Sequence, residues 1–425
     1  MALLSARPRT AAGFTLAELL VSLLVTTLVL GSVIFLFQVH GSLVRTQTQV
    51  AEMQQSLRVA AFDLVRYARM TGRGGLPVGL APRGTAFGGR LLPNGVALEV
   101  ATNVPESTRV GGAAGPPVVA GSDLLTLRGV FESPIYQVDP AAVRLGPGGG
   151  TAVVHLLGPA GLEQDLEPLK QAVQRAATDP EALLLVSPLA AGVYAVGELT
   201  GGGWVAAADG RVVRATLELR FTGGSRTGAY RNLMEGASGP AALRSAAFLG
   251  ILEEHRYYLR ADRAIPGDDT SELLPRLSRA RFYPGTDVAH PSTPSLREDV
   301  ADQVWDFQVA IGVDSDDDGV VAEGVGSGRA DDEWLFNHPG DVLDDASSPA
   351  SWVWNGTADS RRPLLYLRIS TLVRSDRRHL EHLSEAIAAI EDRIYGEDAV
   401  PGEADRAKRG YRRRLLTMTV ELRNL

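Results

Sequence analysis

Residues 14–38 read FTLAELLVSLLVTTLVLGSVIFLFQ, an apolar run interrupted by a single charge, Glu18. A helix of about 24 residues rises about 36 Å, enough to cross a bilayer core of about 30 Å. A helix buried in a soluble core rarely stays apolar on every face for that length, so the run reads as a membrane span. The residues before it carry Arg7 and Arg9 and no acid, which by the positive-inside tendency keeps the N-terminus cytoplasmic and places the chain after Gln38 on the far side. A secretory signal would end in a small-residue cleavage site after the apolar run. Here the sequence continues FQVHGSLVRTQTQV, without such a site, and the glycine that looks cleavable, Gly13, stands before the run.

A charge inside lipid needs an explanation. A lone carboxylate costs about 2.5–3.5 kcal/mol at the bilayer centre and less near the interface, so an intramembrane acid usually has a partner. The stretch GFTLAELLVSLLV resembles the prepilin N-terminal signal of type IV pilins and of type II secretion pseudopilins. The resemblance implies cleavage by a prepilin peptidase after Gly13, N-methylation of the new N-terminus Phe14, and a role for Glu18 in assembly, where it pairs with the N-terminal amine of a neighbouring subunit. It also implies membrane lipid, other minor and major pilins and an inner-membrane assembly platform as partners. A single-pass inner-membrane location before assembly would be followed by a place in a pilus, at the cell surface or in the periplasm.

Beyond the span, Val50, Met53, Leu57, Ala61, Leu64 and Ala68 recur at spacings of three and four, predicting that the helix continues with one apolar stripe. Gln49, Glu52, Arg58 and Arg66 occupy its other side, and TGRGGLP from Thr71 ends it. Gly31 and Gly41 weaken it by about 1 kcal/mol each relative to alanine, and in related pilins part of this helix loosens in the filament, which makes Gly31 the candidate for such a site.

The remainder reads mostly as strands joined by glycine-rich connections. Eight segments alternate or run apolar: DLLTLRGV from Asp123, TAVVHLLG from Thr151, ALLLVSP from Ala182, RVVRATLELRFT from Arg211, RYYLRA from Arg256, VWDFQVAIGV from Val304, LLYLRISTLVR from Leu364 and RRLLTMTVELRN from Arg413. A helical insertion is predicted near 379–395, where Leu380, Leu383, Ile387, Ile390 and Ile394 share a helical face. The pieces QQSLRVAAFDLVRYARMTGRGG, RYYLR, LSRARFYPG, VADQVWDFQVAIGVDSDDDG, LRISTLVRS and YRRRLLTMTVELRNL together resemble PilW-type minor pilins, whose first part is similar to the J-type pseudopilins; residues 80–210 carry little resemblance.

The expected architecture is therefore α+β and pilin-like: a leader at 1–13, a transmembrane helical half at 14–38, an outer helical half at 39–72, and a globular β-rich domain at 73–425 with the helical insertion. The long helix packs on an antiparallel sheet. With 45% hydrophobic residues the chain can build a sizeable core, and with no cysteine it does so without disulfides, unlike many pilins. A net charge of −8 argues against nucleic acid as the main partner.

Catalytic patterns are weak. His379 and His382 lack the H-E-x-x-H metalloprotease arrangement, GPGGGT from Gly146 has no following G-K-[ST], and there is no G-x-S-x-G elbow. The expectation is a structural subunit rather than an enzyme: a minor pilin that assembles or primes a type IV pilus, alternatively a minor pseudopilin of a secretion pseudopilus, or a tip adhesin whose binding surface lies in 80–210.

One further motif points to a cation. In DSDDDGVVAEG, Asp314, Asp316 and Asp318 followed by Gly319 reproduce the first half of a D-x-D-x-D-G calcium loop, where alternate carboxylates converge and the glycine permits the turn. The carbonyl of Val320 and Glu323, or one of Asp331, Asp332 and Glu333, would close the shell, because Val325 stands where an EF-hand has its bidentate glutamate. A solvated acidic hairpin is the competing reading, and exposure outside the cytoplasm favours Ca2+.

Overall fold

The computed structural model describes residues 15–76, 86–87, 90–91, 97–139, 141, 143–147, 150–156, 165–186, 194–206, 208, 212–221, 245–265, 268, 271–314, 318–324, 332–339, 364–378, 382–398, 402, 406 and 408–422. A single α-helix, Leu16–Arg69, opens them. Internal packing divides the chain into two units, Met1–Gln54 and Gln55–Leu425, with the boundary inside this helix.

In the first unit residues 16–40 of the helix are exposed all round, and it is the helix long and apolar enough to cross a membrane by length and composition. In the second unit its last four turns bury Leu57, Ala60, Leu64, Tyr67 and Ala68. The stripe therefore runs through Ala60 and Tyr67 and leaves Ala61 half-buried, as a 3.6-residue period requires once Leu57 and Leu64 face the body. Asp63 adds a polar anchor beside this stripe, with its carboxylate 3.0 Å from the Arg279 guanidinium and accepting the Tyr257 hydroxyl at 2.7 Å.

The helix ends at a glycine turn, where Gly72 takes a φ of +76° and its N–H donates to the carbonyl of Arg128 at 2.9 Å. The strand it meets closes with Gly129, where a Cβ would lie 3.0 Å from the carbonyl of Met70.

Among the described residues, three antiparallel sheets of four or more strands build the body, beside two two-stranded hairpins. The first contains five strands in the spatial order Glu298–Asp302, Leu273–Phe282, Glu253–Arg263, Leu124–Gly129 and Leu98–Ala101. The second contains four, in the order Trp334–Leu335, Val304–Val313, Leu364–Arg374 and Arg413–Glu421. The third contains seven, with Ala182–Val186, Tyr194–Ala206 and Val212–Arg220 as its central run, and the short helix Glu167–Arg175 contributes Leu169 and Ala172 to the core around them.

Sheets exchange strands at single residues. Gln303, with φ +60°, separates Glu298–Asp302 of the five-stranded sheet from Val304–Val313 of the four-stranded one, and Leu252 separates Phe248–Ile251 of the seven-stranded sheet from Glu253–Arg263. Such bends let one chain form the corner between packed sheets.

All eight segments expected as strands are strands. The α+β class holds, with the sheets dominating. The helical insertion near 379–395 is corrected: residues 382–388 are irregular, and Ala389–Ile390 pairs with Arg393–Ile394 in a small hairpin. Glu391 turns this hairpin with φ +49°, a conformation a helix cannot contain. Its charges are held on the four-stranded sheet, Glu391 by Arg368 at 2.9 Å and Arg393 by Asp306 at 2.6 Å, while Glu397 pairs with Arg413 at 2.7 Å. Those contacts outweigh a helical apolar face that has little to cover: Leu383 is 46% and Ile394 71% exposed, and among its described residues only Ile390 is buried.

Candidate assembly helix and acidic loop

The first described turn of the helix explains how Glu18 is accommodated. Thr15 precedes the helix, and the Glu18 carboxylate accepts both the Thr15 backbone N–H and the Thr15 hydroxyl at 3.0 Å. The Glu18 N–H in turn donates to the Thr15 hydroxyl oxygen at 3.3 Å. This is a reciprocal capping box, T-x-x-E, which satisfies first-turn N–H groups that have no partner inside the helix. The pattern was present in the sequence at Thr15 and Glu18 and is the local role that reading Glu18 only as an assembly residue misses. Gly13 and Phe14, the expected cleavage and methylation positions, lie outside the described residues.

Further along, the hydroxyls of the apolar half return to the backbone. Thr26, Thr27 and Ser32 each donate to the carbonyl four residues earlier at 2.7–2.9 Å. Their polar atoms are thus satisfied within the helix, which is the condition lipid imposes on a spanning segment. Glu18 is the acidic group in this half's first turn, and the side chains around it, Leu16, Leu19, Leu20 and Val21, are exposed hydrocarbon. Such a surface can bury itself in lipid or against other helices of the same kind.

The acidic loop follows Val304–Val313, a strand almost fully buried along its length. Asp314 is 5% exposed. Its Oδ2 accepts the Gly319 N–H at 2.9 Å, closing the loop on itself, while Oδ1 is buried with no hydrogen-bond partner. Gly319 has φ +82°, as the turn of a D-x-D-x-D-G loop demands. Asp318 is exposed and accepts the Val320 N–H at 2.7 Å. Asp316 lies outside the described residues.

The other proposed ligands are engaged elsewhere. Glu323 pairs with Arg368 at 3.1 Å. Asp332 accepts the Trp334 N–H at 3.1 Å and the Asn337 side-chain amide at 3.0 Å, and Glu333 accepts the Ala322 N–H at 2.9 Å. Among the described residues, then, the loop's carboxylates do not gather three donor atoms about one point. The structure places Asp314 and Asp318 on one short loop and draws Glu323 away from it.

Compared with known protein families, curated proteins and solved structures, the chain gives no match.

Proposed function

We propose that the chain is a membrane-anchored structural subunit of the type IV pilin kind, a minor pilin of the PilW type with a pilin-like fold. A prepilin peptidase removes the leader after Gly13, the new N-terminus at Phe14 is methylated, and the subunit waits in the inner membrane with its N-terminus cytoplasmic. Assembly then moves the apolar helical half from lipid into a bundle of other pilin helices, where Glu18 meets the amine of a neighbour.

One observation carries this reading: a 54-residue helix whose first half is exposed hydrocarbon with a carboxylate in its first turn, and whose last turns are buried in a sheet-rich body. Capping the first turn gives the carboxylate a local use, and assembly would give it a second. A helix that must register against another gains from a carboxylate, because in lipid a complementary charge is its best partner.

Mass spectrometry of the N-terminal peptide, taken from the membrane or sheared-filament fraction, tests the reading. The expected peptide begins at methylated Phe14. A mature chain beginning beyond Gln38 would overturn it. A minor pseudopilin shares this chemistry, and gene neighbours separate the two: a retraction motor accompanies a pilus, a secretin with secretion-specific partners accompanies the alternative.

The acidic loop is proposed as an accessory calcium site, held by Asp314 and Asp318. What supports it is the buried, unpartnered Oδ1 of Asp314 on a loop whose glycine already has the required turn. It would serve the stability of a domain that has no disulfide.

A further inference from the structure

We propose that Glu132, Glu253 and His255 form a binding site for a divalent transition metal, with Zn2+ as the ion that fits the donor set. The inference does not rest on the reading of the N-terminal helix.

The topology brings the three together. Glu253 and His255 are two residues apart on the strand Glu253–Arg263, so their side chains leave the same face. Leu124–Gly129 pairs with that strand antiparallel, Gly129 opposite Glu253, and Glu132 follows three residues later. Its backbone N–H donates to Oε1 of Glu253 at 3.0 Å, which turns the chain back over the strand. Among the described residues this is the group of metal-binding side chains whose donor atoms all lie within 4.8 Å of one another. Around one zinc ion such atoms stand about 3.4 Å apart. Glu132, whose side chain is 55% exposed, can make that approach and leaves the outer side open to water.

His255 supplies the nitrogen donor. It is 3% exposed, and its Nδ1 is buried with no hydrogen-bond partner, while Nε2 lies 3.3 Å from the Glu253 carboxylate. The rings of Tyr67 and Phe131, centred 4.7 and 5.2 Å away, hold the imidazole in place.

The charges around it are unbalanced. Glu132, Glu181 and Glu253 all face Arg281, but at 3.7, 3.8 and 3.8 Å, outside hydrogen-bond reach, and Arg281 Nε has no partner. Glu181 has additional contacts to His290 at 2.9 Å and to Arg175 at 3.2 Å, and Glu253 faces His255 and accepts the Glu132 N–H, whereas the Glu132 carboxylate faces the distant guanidinium. The Glu132 carboxylate, held this loosely beside the buried Glu253, has capacity for a cation. One imidazole nitrogen with two carboxylate oxygens selects a borderline transition ion over Ca2+ or Mg2+, which prefer oxygen alone.

The test uses the full chain in detergent micelles, freed of metal by chelator and titrated with Zn2+ by calorimetry, with bound metal counted after dialysis. One zinc per chain is expected, with a rise in melting temperature that chelator reverses. Glu132→Gln should weaken binding by tenfold or more while leaving the metal-free melting temperature unchanged, since its side chain is largely exposed. His255→Gln should weaken binding likewise, but because that ring is buried Glu132→Gln carries the test if the His255 variant fails to fold. The double variant Asp316→Ala with Asp318→Ala should bind zinc like the wild type. No zinc uptake by the wild type overturns the proposal, as does equal affinity in Glu132→Gln, or loss of binding confined to the acidic-loop variant.

Discussion

Thr15 and Glu18 satisfy each other: the threonine N–H and hydroxyl both reach the glutamate carboxylate at 3.0 Å, and the glutamate N–H returns to the hydroxyl. One carboxylate thus has two candidate roles, as a helix cap and as the partner of a neighbouring amine, and substitution separates them. Thr15→Ala removes the cap's side chain at a cost of about 1 kcal/mol in the first turn but keeps the carboxylate. Glu18→Ala removes both. If pairing with an amine is the function, Thr15→Ala subunits enter filaments at near wild-type levels and Glu18→Ala subunits do not, although both insert and are cleaved. Immunoblots of sheared filaments against membranes give the comparison, and equal loss in the two variants would assign the effect to the cap alone.

A second prediction concerns the centre of the five-stranded sheet. Arg128 is fully buried and holds Glu254 at 2.6 Å and Glu99 at 2.7 Å, and Glu254 also reaches Arg256 at 2.6 Å. The opposed carboxylates keep the Arg128 guanidinium charged against its burial. Removing one member of a buried network leaves the others charged without compensation, so Arg128→Ala should destabilise the body by about 3–5 kcal/mol. Arg128→Lys should recover only part of that, because an ammonium cannot reproduce the two-sided fork. Chemical denaturation followed by tryptophan fluorescence measures both, and a loss below about 1 kcal/mol would mean the network is dispensable.

What the sequence made legible follows its periodicities. The apolar run, the outer stripe and eight strands show clean periods of three to four, or two, and each is found. Missed strands carry residues that argue locally against a strand. Leu273–Phe282 contains Pro275, tolerated because the neighbouring strand Glu298–Asp302 begins pairing only at Arg276. Tyr194–Ala206 contains Gly201, Gly202 and Gly203, which read as a loop; at Gly202 a Cβ would stand 2.8 Å from the carbonyl of Thr216 on the paired strand, so close approach rather than a turn accounts for the glycine. The hairpin at 389–394 was misread because its apolar residues happen to fall at helical spacing, while the ion pairs that decide its shape come from Asp306, Arg368 and Arg413, distant in sequence. For the same reason Asp63, Tyr257 and Arg279 were invisible as a set: nothing local marks residues that meet only after the sheets form.

For the acidic loop, calcium should act through stability. A cation that binds the native state at 100 times its dissociation constant adds about 2.7 kcal/mol. Millimolar Ca2+ should therefore raise the melting temperature of the full chain in micelles, and Asp314→Asn should abolish the rise, because it removes the charge from the buried oxygen that has no other partner. Magnesium at the same concentration should do less, since it demands tighter octahedral geometry. Identical melting curves in calcium and in chelator would reduce the loop to a polar turn.

The last prediction is a pH dependence centred on Asp392. Burial lifts its carboxyl to about 6, the charges of Glu391 and Asp306 add to the effect, and a hydrogen bond from the Asn103 side chain opposes it. Its Oδ1 has no partner. The folded pKa lies above the ordinary value of about 3.9, so folding takes up a proton there: the charged form costs stability above about pH 6, and that cost is relieved as pH falls towards 4. Asp123, fully buried and in the field of Asp392 and Asp306, is raised in the same direction. Other groups pull the other way at lower pH. Glu181 and Glu253 are held below the ordinary carboxylate range by their histidine and arginine neighbours, against the opposing effect of burial, and the stability they contribute is lost only as pH falls below about 4.3. His255, lowered by burial, favours the neutral ring and loses stability as pH drops through about 6.5 and below. Comparison of two proteins cancels these shared terms. Asp392→Asn keeps an acceptor for Asn103 without the charge, so at pH 7.5 it should be more stable than the wild type by about 1 kcal/mol, after allowance for solvent screening of a partly exposed group. That corresponds to a melting temperature higher by about 1–2 °C in a body of this size. The gap should shrink steadily to nothing near pH 4, and a gap that stays constant from pH 7.5 to 4.5 would show that the Asp392 carboxyl does not titrate in this window.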